Sequence, residues 1–182
     1  MDDKKTFAGQ ISHILEKNKV VKPDESRAMQ KAFHNSEKEQ FDEFLLEEGL
    51  VQEDDLLRAL SEYYKVPSFD IVGYFFSHDL VTKFPKGFLL REAIIPLEVD
   101  ENILAVVASE PNKEGLESAI RDFVSYDVVF MAGLRRDICD AVKEFYDISP
   151  SDVVQEDDRI ERQEREREVE KIEDSSKPVL ED

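Results

Sequence analysis

A single cysteine, Cys139, stands in the 182-residue chain, so no disulfide can close within it and no Cys-x-x-Cys metal pair exists. Glycine is scarce, with six in all. The G-x-x-x-x-G-K-S/T stretch, which cradles nucleotide phosphates with backbone amides and a lysine, does not occur. Long apolar runs are missing as well. The run Ile103-Leu104-Ala105-Val106-Val107-Ala108 falls far short of the roughly 20 residues that span a bilayer. The opening MDDKKTFAGQ holds no apolar signal core. Positive charge is in deficit, with 24 Lys and Arg against 43 Asp and Glu and a net charge of -19. Nonspecific binding to nucleic acid or to anionic lipid needs a positive surface, so the acidic excess argues against both. The three histidines, His13, His34 and His78, have no partner at metal-ligand spacing, and no metal site is expected. These absences point to a cytoplasmic protein.

What is present is a core and a solvated excess. Apolar residues make up 41% of the chain, enough to bury a core, and charged residues make up 37%, so part of it must stay in water. From Asp147 to Asp182 there are 14 acids, 6 bases and no aromatic residue. That stretch cannot bury enough surface to offset its ordering entropy. Its middle, DRIERQEREREVEKIED, keeps acid-before-base pairs at i,i+4, such as Asp158 with Arg162. A disordered or helical acidic tail is expected over 147–182.

Residues 5–66 carry helical periodicity, and they carry it twice. QISHILEKNKVV from Gln10 aligns with QFDEFLLEEGLV from Gln40, so that Ile11, Ile14, Leu15, Val20 and Val21 fall on Phe41, Phe44, Leu45, Leu50 and Val51. The echo weakens after Val21, although Met29 and Phe33 still make a helical face. Gly49 falls where a helix end wants a left-handed residue, and Lys19 occupies the matching place. Leu50 and Val51 are expected to pack under that turn. Two helical hairpins covering each other's apolar faces follow from this pattern.

After Val66 the period changes. Short helical pieces are expected near His78–Lys83 and Lys86–Leu90. AIIPLEV, ENILAVVAS and YDVVFMAG then read as strands rich in Val and Ile. Asp100-Glu101-Asn102 reads as the hairpin turn between the first two, and Pro96 belongs at a strand edge or start. Asn112 is expected to cap a helix carrying Leu116, Ile120 and Phe123. A last helix carries Leu134, Ile138, Ala141, Val142 and Phe145. The second and third strands, joined by a helix, should be parallel. The fold class is therefore α/β of the α+β kind. It comprises an N-terminal bundle of two repeated helical hairpins (5–66), a small β-β-α-β-α sandwich (67–146) and the acidic tail.

Several motifs together carry a family resemblance: the doubled hairpin followed by V-P, the I-P-L before the first strand, the strand ending A-S-E-P-N, and the closing D-I-x-x-A-V-x-x-F-Y. Over roughly residues 10–146 the chain resembles the N-terminal domain of type II secretion and type IV pilus assembly ATPases, of the GspE, PilB or MshE type. The resemblance implies a domain that ties an ATPase to the cytoplasmic domain of an inner-membrane platform protein, here without the motor. It also implies a comparison with members that bind cyclic di-GMP through repeats like R-L-G-x-x-L-V-x-x-G-x-I with a glutamine near the end of the second helix. In this chain the arginine positions hold Gln10 and Gln40, the first glycine positions hold Ser12 and Asp42, and the terminal glutamine of the second repeat corresponds to Tyr63. Gly49 is kept. Glutamine can neither stack a guanidinium on a base nor hold a phosphate with charge. Asp42 sets a carboxylate where backbone would approach a phosphodiester. The motif is degenerate and cyclic di-GMP is disfavoured. Gln10, Ser12, Gln40 and Asp42 are expected to lie outside the apolar faces of their helices.

The remaining candidates are few. Cys139 reads as a small core residue rather than a nucleophile. Neighbouring acids such as Glu47-Glu48 and Asp54-Asp55 point apart on a helix and form no dyad. Tyr74-Phe75-Phe76, an aromatic triplet in a loop, is either core filling or a partner-docking patch, since aromatic side chains make good anchors. The expected function is a non-enzymatic adaptor or regulatory interaction module, with no cofactor. It would be held near the inner membrane through a protein partner. The alternative is a cyclic di-GMP receptor with a degenerate motif.

Overall fold

Thr6 starts the first helix by accepting the Gly9 N–H on its hydroxyl at 3.1 Å, and α1 runs Phe7–Lys17. The structure is a computed structural model that describes residues 6–147. The expectation for the acidic tail falls almost wholly outside them. The second helix, α2 (Pro23–His34), opens on a proline, which needs no N–H donor there, and the Glu25 carboxylate accepts the Lys22 N–H at 2.8 Å. Two more helices follow, α3 (Phe41–Glu47) and α4 (Glu53–Tyr64), the latter with three acids in its first turn, where the helix dipole favours them.

The 30-residue echo is written into the backbone more fully than into the side chains. Helices α2 and α4 have the same length of 12 residues and begin 30 positions apart. At the two turns the hydrogen bonds match: Val20 N–H to Leu15 carbonyl and Leu50 N–H to Leu45 carbonyl are both 2.9 Å. Lys19 takes φ 59° where Gly49 takes φ 63°, so the lysine accepts the left-handed conformation that the turn demands. Sequence similarity fades after Val21 because α2 buries Ser26 and Met29 where α4 buries Leu56 and Ala59. Val51 is buried under its turn as expected, but Leu50 is 40% exposed, because consecutive residues leaving a helix cannot both face inward.

The bundle closes on Ile11, Leu15, Phe41, Leu45, Leu56 and Leu60, all buried. The Phe33 ring meets Phe41 at 5.1 Å and Phe44 at 5.5 Å between centroids. The same apolar cluster takes in Ala132 and Leu134 from far along the chain.

Beyond it come α5 (His78–Val81), α6 (Lys86–Glu92), β1 (Ile94–Asp100), β2 (Ile103–Ala108), α7 (Leu116–Arg121), β3 (Asp127–Ala132) and α8 (Arg135–Asp147). The sheet order is β1-β2-β3, antiparallel then parallel, as the β-β-α-β-α reading requires. Glu101 makes the hairpin turn with φ 51°. Pro96 lies in the edge strand beside a register shift between Pro96 and Glu98, where its missing N–H costs no ladder bond. Asn112 does not cap α7. Gly115, at φ 77°, occupies the cap position because the preceding turn requires a left-handed residue.

Among the described residues, 6–143 form one compact unit, and 144–147 make the last turn of α8. In that turn the Phe145 and Tyr146 rings meet edge to face at 5.3 Å.

Candidate functional site at the hairpin–sheet junction

The residues of the degenerate motif do not share one environment. Gln10 is exposed on α1, and Gln40 is a half-buried N-cap of α3 whose side chain makes no capping bond. Ser12 is fully buried and Asp42 is 6% exposed, which corrects the expectation that both lie outside the apolar faces. Each directly follows a core residue, Ile11 or Phe41, and turns into the interior of a bundle too narrow to leave it in water. The two positions are equivalent in the repeat, and both are unsatisfied: Ser12 Oγ and Asp42 Oδ1 have no hydrogen-bond partner among the described residues. Tyr63 packs away from them, edge-on to Phe7 at 5.1 Å and to Tyr64 at 4.8 Å.

Around Asp42 the fold gathers residues that are remote in sequence. Burial raises its pKa, the backbone N–H groups of Glu43 and Asp42 itself oppose that shift, and the charges of Arg135 and Glu110 act on it with opposite signs. Arg135 opens α8 and donates to Glu110, just beyond β2, at 2.8 Å. The Tyr64 phenol at the end of α4 is held neutral well above the usual tyrosine range, first by burial and then by the negative charges of Glu110 and Asp42. A second ion pair, Arg136 with Glu53, links the first turns of α8 and α4. The junction thus comprises Asp42, Tyr64, Glu110 and Arg135. Sequence reasoning had singled out only Asp42 among them. The available signal was the position of the other groups: Glu110 in A-S-E-P-N and Arg135 directly after the third strand both follow the parallel strands, where loops converge.

Chemically, the junction sets one ion pair, Arg135 with Glu110, beside a buried carboxyl and a buried phenol. Cys139 is half-buried, and burial raises its thiol pKa, which disfavours the thiolate. Among the described residues no group of three His, Cys, Asp or Glu side chains comes together as metal ligands, and no helix is long and apolar enough to cross a membrane.

The aromatic triplet lies elsewhere. Tyr74 packs on Phe69 at 5.5 Å and on Phe76 at 5.0 Å, and its hydroxyl reaches the Leu97 carbonyl at 3.5 Å. Phe75 is 96% exposed and Val72 is 70% exposed. Tyr74, Phe75 and Phe76, with Leu80, Leu97 and Tyr126, line an open groove of about 480 Å³.

A doubled helical hairpin packed at the end of a small mixed sheet defines the class of this molecule, an α+β domain whose polar groups converge where the two parts meet. Comparison with known proteins shows what part of the chain and its fold are similar to. Residues 64–152 match the model of the MshEN domain. A solved structure of MshE with cdg superposes with a TM-score of 0.59 at 18% identity, covering 75% of this chain and 98% of that one. A structure of the N-terminal domain of XpsE gives 0.52 at 21%, covering 74% and 92%. No curated protein matches. Both structures are under 25% identical to this chain, and what it shares with them is the fold.

Proposed function

We propose that this chain is a non-enzymatic interaction module that docks on the cytoplasmic domain of an inner-membrane secretion or pilus platform protein. The observation that carries the reading is Phe75, a phenylalanine 96% exposed on a loop whose flanking rings, Tyr74 and Phe76, are half-buried and hold it in place. Phe75 shares its loop with Val72, itself 70% exposed, and a partner's pocket would remove both from water, with the phenylalanine as anchor. Titrating the purified chain against the host's own platform domain tests this. Phe75→Ser should weaken binding at least tenfold, on the order of an anchor's contribution, with an unchanged melting temperature. Equal affinity of the two proteins sinks the reading.

A second reading, a cyclic di-GMP receptor, has the likeness to MshE with cdg in its favour, together with the two turns kept in left-handed geometry at Lys19 and Gly49. Against it stand the missing arginines and a carboxylate buried at Asp42. Calorimetry with cyclic di-GMP separates the two: low-micromolar binding selects the receptor reading. The variant Gln10→Arg, Ser12→Gly, Gln40→Arg, Asp42→Gly should gain an affinity that the parent lacks.

A further inference from the structure

The third strand has an open side. Asp127 and Gly133 give their N–H groups toward β2, to the carbonyls of Asn102 at 2.9 Å and Ala108 at 3.1 Å. Ala132 faces the other way. Its N–H meets the Pro67 carbonyl at 2.8 Å, its carbonyl takes the Phe69 N–H at 2.9 Å, and Ser68 bridges it in parallel. By the two-residue period of a strand, Val128 and Phe130 turn their N–H and C=O groups to the same outer edge. None of the described residues bonds them there. The segment 67–69 shows that this edge accepts a strand, and α4, ending at Lys65 in a left-handed turn, stops that segment from extending further along it.

We propose that the outer edge of β3 is a strand-addition site for an extended segment of another protein, with apolar residues alternating with Lys or Arg. In such an alternating segment the apolar side chains share one face of the added strand and the basic ones the other. Val129 is 47% exposed on one face of the strand. On the other, Phe130 lines an open groove of about 570 Å³ with Pro111, Ser118 and Arg121. The basic residues follow from charge. Lys113 and Arg121 in that groove are already held, by Glu92 at 2.6 Å and by Glu117 at 2.8 Å and Asp127 at 3.2 Å, two cations against three carboxylates, on a chain whose whole net charge is -19. A second copy of the chain would bring another net charge of -19 to the same edge, which disfavours self-pairing. Backbone bonds would supply affinity and the groove would supply selectivity, independently of the Phe75 surface.

The test is amide hydrogen exchange on the full chain with the peptide VKVRVK as probe. Without peptide, the Val128 and Phe130 amides should exchange fast while those of Val129 and Met131 are protected. Peptide should slow Val128 and Phe130, and VEVEVE should not. Val128→Pro removes only an outward N–H and should weaken the peptide about tenfold, while Val128→Ala, which keeps that N–H, should not. Three results overturn the proposal. In one, the peptide binds and leaves both amides fast. In another, Val128→Pro folds and binds as well as the parent. In the third, Val128 and Phe130 become protected without peptide as protein concentration rises, which would make the occupant a second copy.

Discussion

Asp42 places a carboxyl inside the helical bundle, with one oxygen unpaired among the described residues. Its carboxyl is nearly buried and its pKa is raised chiefly by that burial. Ionising it therefore opposes folding. The penalty is absent below the ordinary aspartate range, grows as pH rises through that range and is complete above the folded-state pKa. Asp42→Asn should stabilise the protein at neutral pH by on the order of 1 kcal/mol, with the difference vanishing under acid conditions. Urea melts at several pH values check this, and a gain that persists at low pH would contradict it. At the first turn, Lys19 holds φ 59°, a conformation that costs an L-residue about 1 kcal/mol or more. Lys19→Gly, which copies Gly49, should stabilise by roughly 0.5–1 kcal/mol in the same melts.

At the scale of elements, the joint between β3 and α8 depends on the smallness of Gly133. A Cβ there would lie 2.3 Å from Val107 Cγ1 and 3.3 Å from Ile138 Cδ1, in the space where the last helix meets the central strand. Gly133→Ala should cost about 1–3 kcal/mol by overpacking, read as a lowered denaturation midpoint with an unchanged m-value. The first helix depends instead on its cap. Thr6→Ala removes the acceptor of the Gly9 N–H and should cost about 1 kcal/mol. Its effect should appear as faster amide exchange in the first turn of α1.

For the molecule as a whole, Ala132 and Leu134 belong to the apolar cluster of the hairpins, although they lie in the sheet half of the chain. We propose that the helical part, 5–66, and the sheet part, 67–146, unfold as one. Heating should give a single calorimetric transition. A chain beginning at residue 67 should melt well below the full protein, because Ala132 and Leu134 lose their cover. Two separate transitions would mean that each half keeps its own core. The net charge of -19 sets a second expectation. Added salt should raise the melting temperature by screening self-repulsion.

The sequence by itself determined the elements and their order. Apolar spacing with a period near 3.6 marks the four helices of the hairpins, alternation of Val and Ile marks the three strands, and the 30-residue echo foretells two hairpins. All of these are local signals, carried by residues that are neighbours along the chain. The family resemblance came from the same local motifs. Only tertiary structure decided which polar groups meet. Ser12 and Asp42 lie just off the apolar stripe in a helical projection, and only the narrowness of the packed bundle drives them into the interior. Arg135 joins Glu110 because β2 and β3 run parallel and end side by side, 25 residues apart in sequence. No periodicity encodes that meeting, since it depends on long-range packing. The exposure of Phe75 was left open by sequence for the same reason. An aromatic triplet has identical chemistry in a core and on a surface, and what separates the two is how much of the rest of the chain comes to cover it.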